Sequence, residues 1–347
     1  MKRMNHMLFT AGMLTASLPG LAQQQQPKNI VFIAIDDLND WVGFLGGHPD
    51  TRTPNMDRLA RMGVVFENAY CAAPVSNASR AALLSGFRTS TTGVYGNAEF
   101  MRESEVINNG ITLPRYFSNH GYYASARCKI FHQPMGPWAD PQSWDSQENL
   151  GGKNLNVAPK EPGRQANGMP ILTSGGGGSV ILDWAGVDVD EKQTNDYLNA
   201  EWAAVELMKK HDRPFFLACG IFRPHLPWYV PQKYFDRFSV DTLALPPRDS
   251  DETMGKLSDR ALQMTGYRKP DHEFNLLKKA GREKEAVRAY LACICYADDC
   301  VGRIVDALEK SPNRENTIVV LWGDHGWHLG EKMRSRKFSL WERSCRM

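Results

Sequence analysis

The sequence lacks three features that would decide its class at once: a strong net charge, a long apolar run and a paired cysteine pattern. Its 347 residues carry 41 basic and 39 acidic side chains, for a formal charge of +2. Because the positive and negative charges are almost equal in number, the composition gives no general reason to expect a nucleic-acid partner. Any anion has to be bound by a local site. After the N-terminal region, no segment approaches a membrane span.

The cysteines form no recognisable framework. There are seven of them, at positions 71, 128, 219, 293, 295, 300 and 345. No histidine accompanies the three that lie closest together, which argues against a zinc site. Their odd number argues against a complete disulfide framework. We expect them to be core residues, in a chain whose 42% hydrophobic content allows one large α/β domain or two smaller ones.

The N-terminal segment 1–22 has the order of a secretory signal peptide. Lys2 and Arg3 precede a short apolar run that ends in small residues near Ala22. This run is too short, and too broken by Pro19, to cross a bilayer. We expect cleavage near Ala22 and export to the periplasm or the medium; a buried first helix is the alternative.

Strand-like and helix-like segments alternate along the rest of the chain. The runs IVFIAI, PFFLACGI and TIVVLW predict buried parallel strands. Helices are predicted between them; one has Thr53 as N-cap and Pro54 as first residue, and another stops at Gly121. The Gly-, Pro- and Asn-rich region 145–180 predicts a long mobile excursion on the substrate side. This alternation indicates a parallel sheet covered on both faces.

Chemically reactive residues follow three of the predicted strands. Asp36 and Asp37 follow the first, His225 the second, and Asp324 and His325 the third. Ligands of parallel sheets bind beyond the carboxyl ends of the strands, so these side chains should meet. Three carboxylates without a matching basic cluster predict a cation, and Ca²⁺ accepts an irregular shell of roughly 6–8 oxygens. For the first pair alone, the alternative is a turn cap.

The segment CAAPVSNASRAALLSG, residues 71–86, offers four possible nucleophiles, one cysteine and three serines. Ser76 lies four residues before Arg80, at what is predicted to be a helix N-terminus, where backbone N–H groups favour an anion. A nucleophile there, with Arg80 to neutralise its developing charge, suits attack on a sulfuryl or phosphoryl group. Cys71 has valine, not arginine, at the same offset.

Five segments together resemble the type I sulfatases, in particular the iduronate-2-sulfatase-like branch. They are TPNMDRLARMGVVFENAY, SNASRAALLSG, TLPRYFSNHGYYASARCKIFH, FRPHLPW and DHGWHLGEK. The resemblance runs from about residue 28 to the last residues. It implies an alkaline-phosphatase-like sandwich with a mostly parallel central sheet flanked by helices. It also implies that residues 23–347 are the family's N-terminal catalytic domain, with the C-terminal subdomain missing.

The resemblance also implies roles for individual residues. The family motif C/S-x-P/A-x-R falls on Ser76, Ala78 and Arg80, and implies that a maturation enzyme converts Ser76 to formylglycine (3-oxoalanine). The implied Ca²⁺ ligands are Asp36, Asp37, modified residue 76, Asp324 and His325. Arg80 is implied to hold the aldehyde hydrate. The residues implied to contact the sulfate and the leaving-group oxygen are Lys129, His132, His225 and Lys337.

Two positions depart from the family pattern. Cys128 stands where the family usually has glycine, and we expect it to crowd the backbone beside Lys129. Ser335 stands where tryptophan is common, and we expect Lys337 to lose an aromatic brace.

The leading hypothesis is a Ca²⁺-dependent sulfatase acting on sulfated carbohydrate, with a 2-O-sulfated uronic acid of glycosaminoglycan-type glycans as the best single guess. The first alternative is a phosphomonoester or phosphodiester hydrolase of the same fold that uses unmodified Ser76. The second is an inactive glycan-binding fragment.

Overall fold

The computed structural model describes residues 27–148, 160–173, 179–180, 182–247, 255–265 and 271–347. The predicted signal peptide lies outside these residues, as do residues 149–159 and 174–178 of the predicted excursion.

The described strands form one central sheet and two small ones. In chain order they are β1 (Asn29–Ile35), β2 (Tyr123–Arg127), β3 (Ser146–Glu148), β4 (Leu172–Thr173), β5 (Ser179–Val180), β6 (Trp184–Val187), β7 (Phe215–Ile221), β8 (Trp228–Pro231) and β9 (Thr317–Gly323). The central sheet has the order β3-β2-β7-β1-β9, and every pairing in it is parallel. The predicted parallel sheet is therefore confirmed.

The described α-helices lie between and around these strands. They are α1 (Pro54–Met62), α2 (Ser76–Ser85), α3 (Thr89–Thr92), α4 (Glu105–Asn108), α5 (Leu113–Asn119), α6 (Asn195–Met208), α7 (Gln232–Phe235), α8 (Asp259–Thr265), α9 (His272–Ala280), α10 (Glu283–Lys310) and α11 (Glu342–Cys345). Among the residues described, no helix is long and apolar enough to cross a membrane.

The central strand β1 divides the core in two. Val31, Ile33 and Ile35 belong to the cluster that includes the apolar faces of α6 and α10. Phe32 and Ala34 point to the opposite face and pack in a second cluster with α2. Successive side chains of a strand alternate between the two faces of a sheet, so a strand covered by helices on both sides has to be apolar throughout.

The register of the three central strands brings their carboxyl ends level. Ile35 pairs with Ile221 of β7 and with Gly323 of β9. Just beyond, the Asp36 N–H donates to the Ile221 carbonyl at 3.0 Å. The residues that follow each strand therefore start from the same edge of the sheet.

Local sequence signals explain where two of the helices begin and end. Helix α1 begins at Pro54 with Thr53 as N-cap, as predicted. The Thr53 hydroxyl makes no cap bond; it donates to Asp57 and accepts from the Gly43 N–H. After α5, the chain turns through Gly121 at φ +87°, a conformation that favours glycine.

The expectation that every cysteine belongs to the core is wrong for two of the seven. Five are buried: Cys128, Cys219, Cys293, Cys295 and Cys300. Cys71 and Cys345 are only partly buried. These two lie outside the apolar clusters: Cys71 is in the connection before α2, and Cys345 is the last residue of the four-residue helix α11.

Candidate active site

The carboxyl edge of the central sheet gathers the residues singled out from the sequence. Nine of the ten are joined by contacts within 4.0 Å: Asp36, Asp37, Ser76, Arg80, Lys129, His225, Asp324, His325 and Lys337. The tenth, His132, makes none of these contacts. Residues almost 300 positions apart therefore converge because parallel strands end at one edge.

Ser76 is the first residue of α2 and is 2% exposed. Its Oγ lies 3.0 Å from His325 Nε2 and 3.3 Å from Asp36 Oδ1. The Lys337 ammonium donates to the same oxygen at 3.2 Å. The side chain at position 76 thus sits at a helix N-terminus between acidic, basic and imidazole groups.

Arg80 lies one turn further along α2 and is fully buried. Its Nε donates to Asp324 Oδ2 at 2.9 Å, and its Nη2 donates to Asp36 Oδ1 at 3.0 Å. Its Nη1 donates to the backbone carbonyls of Lys129 and Ile130 at 2.7 and 3.0 Å. One guanidinium therefore fixes two strand-end carboxylates and the loop that carries Lys129.

Two lysines complete the charge balance of the site. Lys129 Nζ lies 2.6 Å from Asp36 Oδ2, and Lys337 Nζ lies 2.5 Å from Asp37 Oδ1. Together with Arg80 they place three positive side chains against three carboxylates. The prediction that the carboxylates have no matching basic cluster is therefore wrong, because those lysines lie far away in sequence and are brought in by the fold.

Ion pairing keeps the first two aspartates charged in spite of their burial. Burial by itself would raise the pKa of Asp36, but Lys129, His225 and Arg80 together hold that pKa well below its ordinary value. Burial likewise opposes the charge on Asp37, and Lys337 is the largest of the effects that lower its pKa. Both carboxylates are anionic at neutral pH.

Two histidines present an unprotonated Nε2 to this cluster. His325 Nδ1 lies 3.0 Å from the Gly326 carbonyl, and His225 Nδ1 lies 2.6 Å from the Leu226 carbonyl, so each Nδ1 carries the proton as a donor. Burial lowers the pKa of both, that of His225 to about 4. Each Nε2 lone pair is therefore available, and each lies within 3.9 Å of an Asp37 oxygen.

His132 stands slightly apart. Its ring packs edge-on against Trp138, and its buried Nδ1 has no hydrogen-bond partner among the residues described. Burial, with the positive charges of Lys129 and Arg80, lowers its pKa to about 4. His132 is a neutral base next to two cations.

The donor set fits a divalent cation. Two overlapping groups share Asp37, namely Asp36 with His225 and Asp324 with His325, and within each group the candidate ligand atoms lie within 4.8 Å of one another. Asp37 Oδ2 is buried and accepts no hydrogen bond in the described structure; the nearest imidazole nitrogen, His225 Nε2, is 3.9 Å away. An orphaned carboxylate oxygen among other carboxylates suits a hard cation such as Ca²⁺. His225, which the sequence placed with the sulfate contacts, lies near enough to be a ligand.

The two departures from the family pattern have different structural consequences. Cys128 adopts φ +68°, the left-handed region that favours glycine, as expected of a position usually held by glycine. Gly220 on β7 leaves room for the loop, since a Cβ there would lie 2.7 Å from the Lys129 nitrogen. The expectation that Lys337 lacks an aromatic neighbour is wrong, because its Nζ lies 5.7 Å from the centroid of the Trp327 ring.

Two residues that hold the site in place were missed or dismissed from the sequence. Tyr290, in the middle of α10, donates to the Asp37 carbonyl at 2.6 Å and accepts from the Asn39 N–H at 3.0 Å. Ser79, a serine of segment 71–86 that the family motif does not select, donates to the Asp324 carbonyl. No motif marks either residue; only an amphipathic-helix analysis that flagged a buried tyrosine could have suggested Tyr290.

Comparison with known proteins agrees with this arrangement. The family model described as Sulfatase matches residues 28–346. A sulfatase of Formosa agariphila is 36% identical over 327 residues, which cover 90% of this chain and 62% of that protein. Human iduronate 2-sulfatase is 27% identical over 326 residues, which cover 90% and 57% respectively.

Solved structures show the same fold. A 2-O GAG sulfatase superposes with a TM-score of 0.61 at 20% identity, covering 92% of this chain and 63% of that one. The predicted alkaline-phosphatase-like architecture is confirmed. This chain spans about three fifths of the length of the curated relatives it matches.

Proposed function

Because the chain belongs to the sulfatase family, we propose that it hydrolyses sulfate esters on sulfated carbohydrates, with a 2-O-sulfated uronic acid as substrate. The observation that carries this proposal is the position of Ser76. It lies buried at the start of α2, with its Oγ within hydrogen-bond reach of Asp36, His325 and Lys337.

Two groups complete the proposed site. Formylglycine at position 76 would supply a hydrated aldehyde, whose two hydroxyls would serve for attack and for expelling sulfate. Calcium, when bound, supplies Lewis-acid polarisation of the sulfuryl oxygens. The residues that would hold the ion are Asp36, Asp37, Asp324 and His325, with residue 76.

The side chains of this chain perform the remaining tasks. Arg80 fixes Asp36 and Asp324 through its buried guanidinium and so orients the ligand set. Lys129 and Lys337 place positive charge where a sulfate would enter. That charge would stabilise the dianionic transition state more strongly than water does. His132 and His225 are neutral at pH 7, so a histidine that first takes the proton of the attacking hydroxyl can then donate it to the leaving-group oxygen.

The substrate assignment rests on chemistry and on similarity together. A sulfated glycan is a polyanion, and in a nearly neutral chain the fold brings Arg80, Lys129 and Lys337 together at this site. Iduronate 2-sulfatase and the 2-O GAG sulfatase are among the proteins that this chain resembles. The first support favours an anionic sugar, and the second favours a sulfate at the 2-position of a uronic acid.

The test is release of free sulfate from defined disaccharides. Full-length protein, matured in a host that modifies serine-type sulfatases, is incubated with 2-O-sulfated uronate disaccharides and with isomers sulfated only on the amino sugar. Ion chromatography should detect sulfate from the first set and less from the second. Absence of sulfate from both sets, with formylglycine present by mass spectrometry, would refute the proposal.

One observation favours the phosphoryl-transfer alternative. In the unmodified chain, Ser76 Oγ and His325 Nε2 are 3.0 Å apart, a nucleophile–base distance. That reading predicts an intact serine and turnover of phosphate mono- or diesters. The two reactions are distinguished by assaying the same protein sample with phosphate esters and by determining the mass of residue 76.

The glycan-binding alternative predicts binding without turnover. Under that reading, sulfated glycans bind equally well to the wild type and to the D36A variant, which loses a central carboxylate. If the proposed catalytic site is instead the binding site, D36A changes both glycan affinity and turnover.

We further propose that the protein is exported. Support comes from the signal-like order of residues 1–22 and from a substrate class found outside cells. N-terminal sequencing of the mature protein should begin near residue 23.

A further inference from the structure

Two cysteines that the catalytic proposal does not use lie opposite each other in a short antiparallel pairing. Tyr70 forms a bridge with Arg346. On one side of it, the Cys71 N–H donates to the Cys345 carbonyl at 2.9 Å, and on the other the Met347 N–H donates to the Ala69 carbonyl at 3.2 Å. In this antiparallel register, Cys71 is directly across from Cys345.

The two side chains face each other as well. The Cys71 thiol donates to the carbonyl of Ser344, the residue before Cys345, at 3.9 Å, and each thiol lies near enough to shift the pKa of the other. Opposing residues of an antiparallel pair have Cα atoms about 4.5–5.5 Å apart. A disulfide needs a Cα separation of roughly 4.4–6.8 Å, so this pairing lies inside the required range.

These are also the two cysteines that solvent reaches. The other five are buried. A thiol–disulfide exchange needs an accessible sulfur, which Cys71 and Cys345 offer.

We propose that Cys71 and Cys345 form a disulfide in the mature protein. The two thiols lose two protons and two electrons to a disulfide oxidant, which accepts them and leaves as two thiols. The bond rests on the proposed export, because an oxidising compartment preserves it. It does not depend on the sulfatase activity.

This bond would join the two segments that close the catalytic site. Cys71 precedes Ser76 by five residues, and Cys345 follows Lys337 by eight. The segment that carries Cys345 also contacts the turn after β9. The carbonyl of Ser344 accepts a hydrogen bond from the N–H of Gly326, the residue after His325, at 2.8 Å. A side chain at Gly326 would collide with the Arg343 carbonyl, so the segment packs closely on this turn. The disulfide therefore holds Lys337 and His325 in fixed relation to Ser76.

The direct test is peptide mapping without reduction. Trypsin should release residues 62–80, which contain Cys71, and residues 344–346, which contain Cys345. From exported protein, or from purified protein equilibrated with oxidised glutathione, we expect these peptides as one linked species that separates on reduction. Recovery of both peptides with alkylated thiols from either sample would overturn the proposal.

The same peptide distinguishes this proposal from the function. Residue 76 lies within 62–80, so its mass reports formylglycine independently of the link to 344–346. A linked peptide with an intact serine supports the disulfide and counts against the sulfatase mechanism. An unlinked peptide with formylglycine does the reverse.

A thermal shift supplies a second measurement. A disulfide that closes so long a loop should raise Tm, and its reduction should lower Tm by about 5 °C or more. The C345S variant should show no response to reductant, whereas C293A, which alters a buried core cysteine, should keep the wild-type response. Equal responses of wild type and C345S would contradict the proposal.

Discussion

Replacing Arg80 with alanine is predicted to destabilise the whole fold, not only the reaction. The Arg80 guanidinium is 0% exposed and donates to four acceptors: Asp36, Asp324 and the carbonyls of Lys129 and Ile130. Alanine would remove all four of these hydrogen bonds from a buried region, and Asp324 would lose its paired cation.

The magnitude follows from which partners remain. Asp36 keeps Lys129 at 2.6 Å, whereas Arg80 is the buried cation paired with Asp324. Removing one partner of a buried ion pair costs about 3–5 kcal/mol, and we expect R80A to lower the free energy of unfolding by that amount. R80K keeps the charge but loses the planar fork; we expect a cost of about 2 kcal/mol, from two acceptors left unpaired at about 1 kcal/mol each.

The assay is urea unfolding in the presence of a chelator, so that a bound ion cannot compensate for the lost guanidinium. R58A is the matched control. Arg58 also pairs with an aspartate, Asp306, at 2.6 Å, but the two side chains are 31% and 54% exposed. An exposed ion pair contributes about 0–1 kcal/mol, so R58A should unfold almost as the wild type does.

The comparison can refute the reasoning. If R80A and R58A differ by less than about 1 kcal/mol, burial does not decide the strength of these pairs, and the network around Arg80 is not what holds the strand ends together.

Three further predictions concern single residues. S76A should reduce sulfate release by roughly 10³-fold or more with an unchanged circular dichroism spectrum, and substantial residual turnover would rule out residue 76 as nucleophile. Ca²⁺ should raise the Tm of the wild type and of D188N, an exposed control, but not of D37N, as measured by scanning fluorimetry. Burial lowers the pKa of His328 from 6.5 to about 3, so the unfolded chain binds the extra proton as pH falls below 6.5. Stability should therefore fall by about 2 kcal/mol between pH 6.5 and pH 5 through this residue, and urea midpoints should show a smaller fall for H328Q.

The sequence predicts the strand ends of the site well. Asp36, Asp37 and Asp324 follow apolar runs that can only be buried strands, and parallel strands of one sheet end at one edge. Ser76 and Arg80 follow from helix periodicity, since residues four apart share a face.

The residues that neutralise those carboxylates could not be placed in the same way. Lys129 lies in a loop and Lys337 in an irregular segment, and neither has a periodic pattern that fixes the direction of its side chain. Counting charges near each aspartate in the sequence therefore suggests an excess of negative charge. Folding removes that excess through contacts between residues 93 and 300 positions apart.

The pairing of Cys71 with Cys345 is beyond sequence reasoning for a related cause. An odd number of cysteines indicates no particular pairing, and loop closure over so many residues carries no local signal. Only the antiparallel register of the two segments shows that these two thiols meet.

The burial of Ser76 sets a time limit on the oxidation proposed for it above. At 2% exposure, its side chain is out of reach of any other protein once α2 has packed, so an enzyme that oxidises it has to act on a chain that is not yet closed. Lys337, which covers the same oxygen, is 261 residues further along the chain. At about 5–20 residues per second, a ribosome adds those residues in roughly 10–50 s. Slower synthesis, or delayed folding after export, would lengthen that interval and raise the fraction of chains that leave it modified.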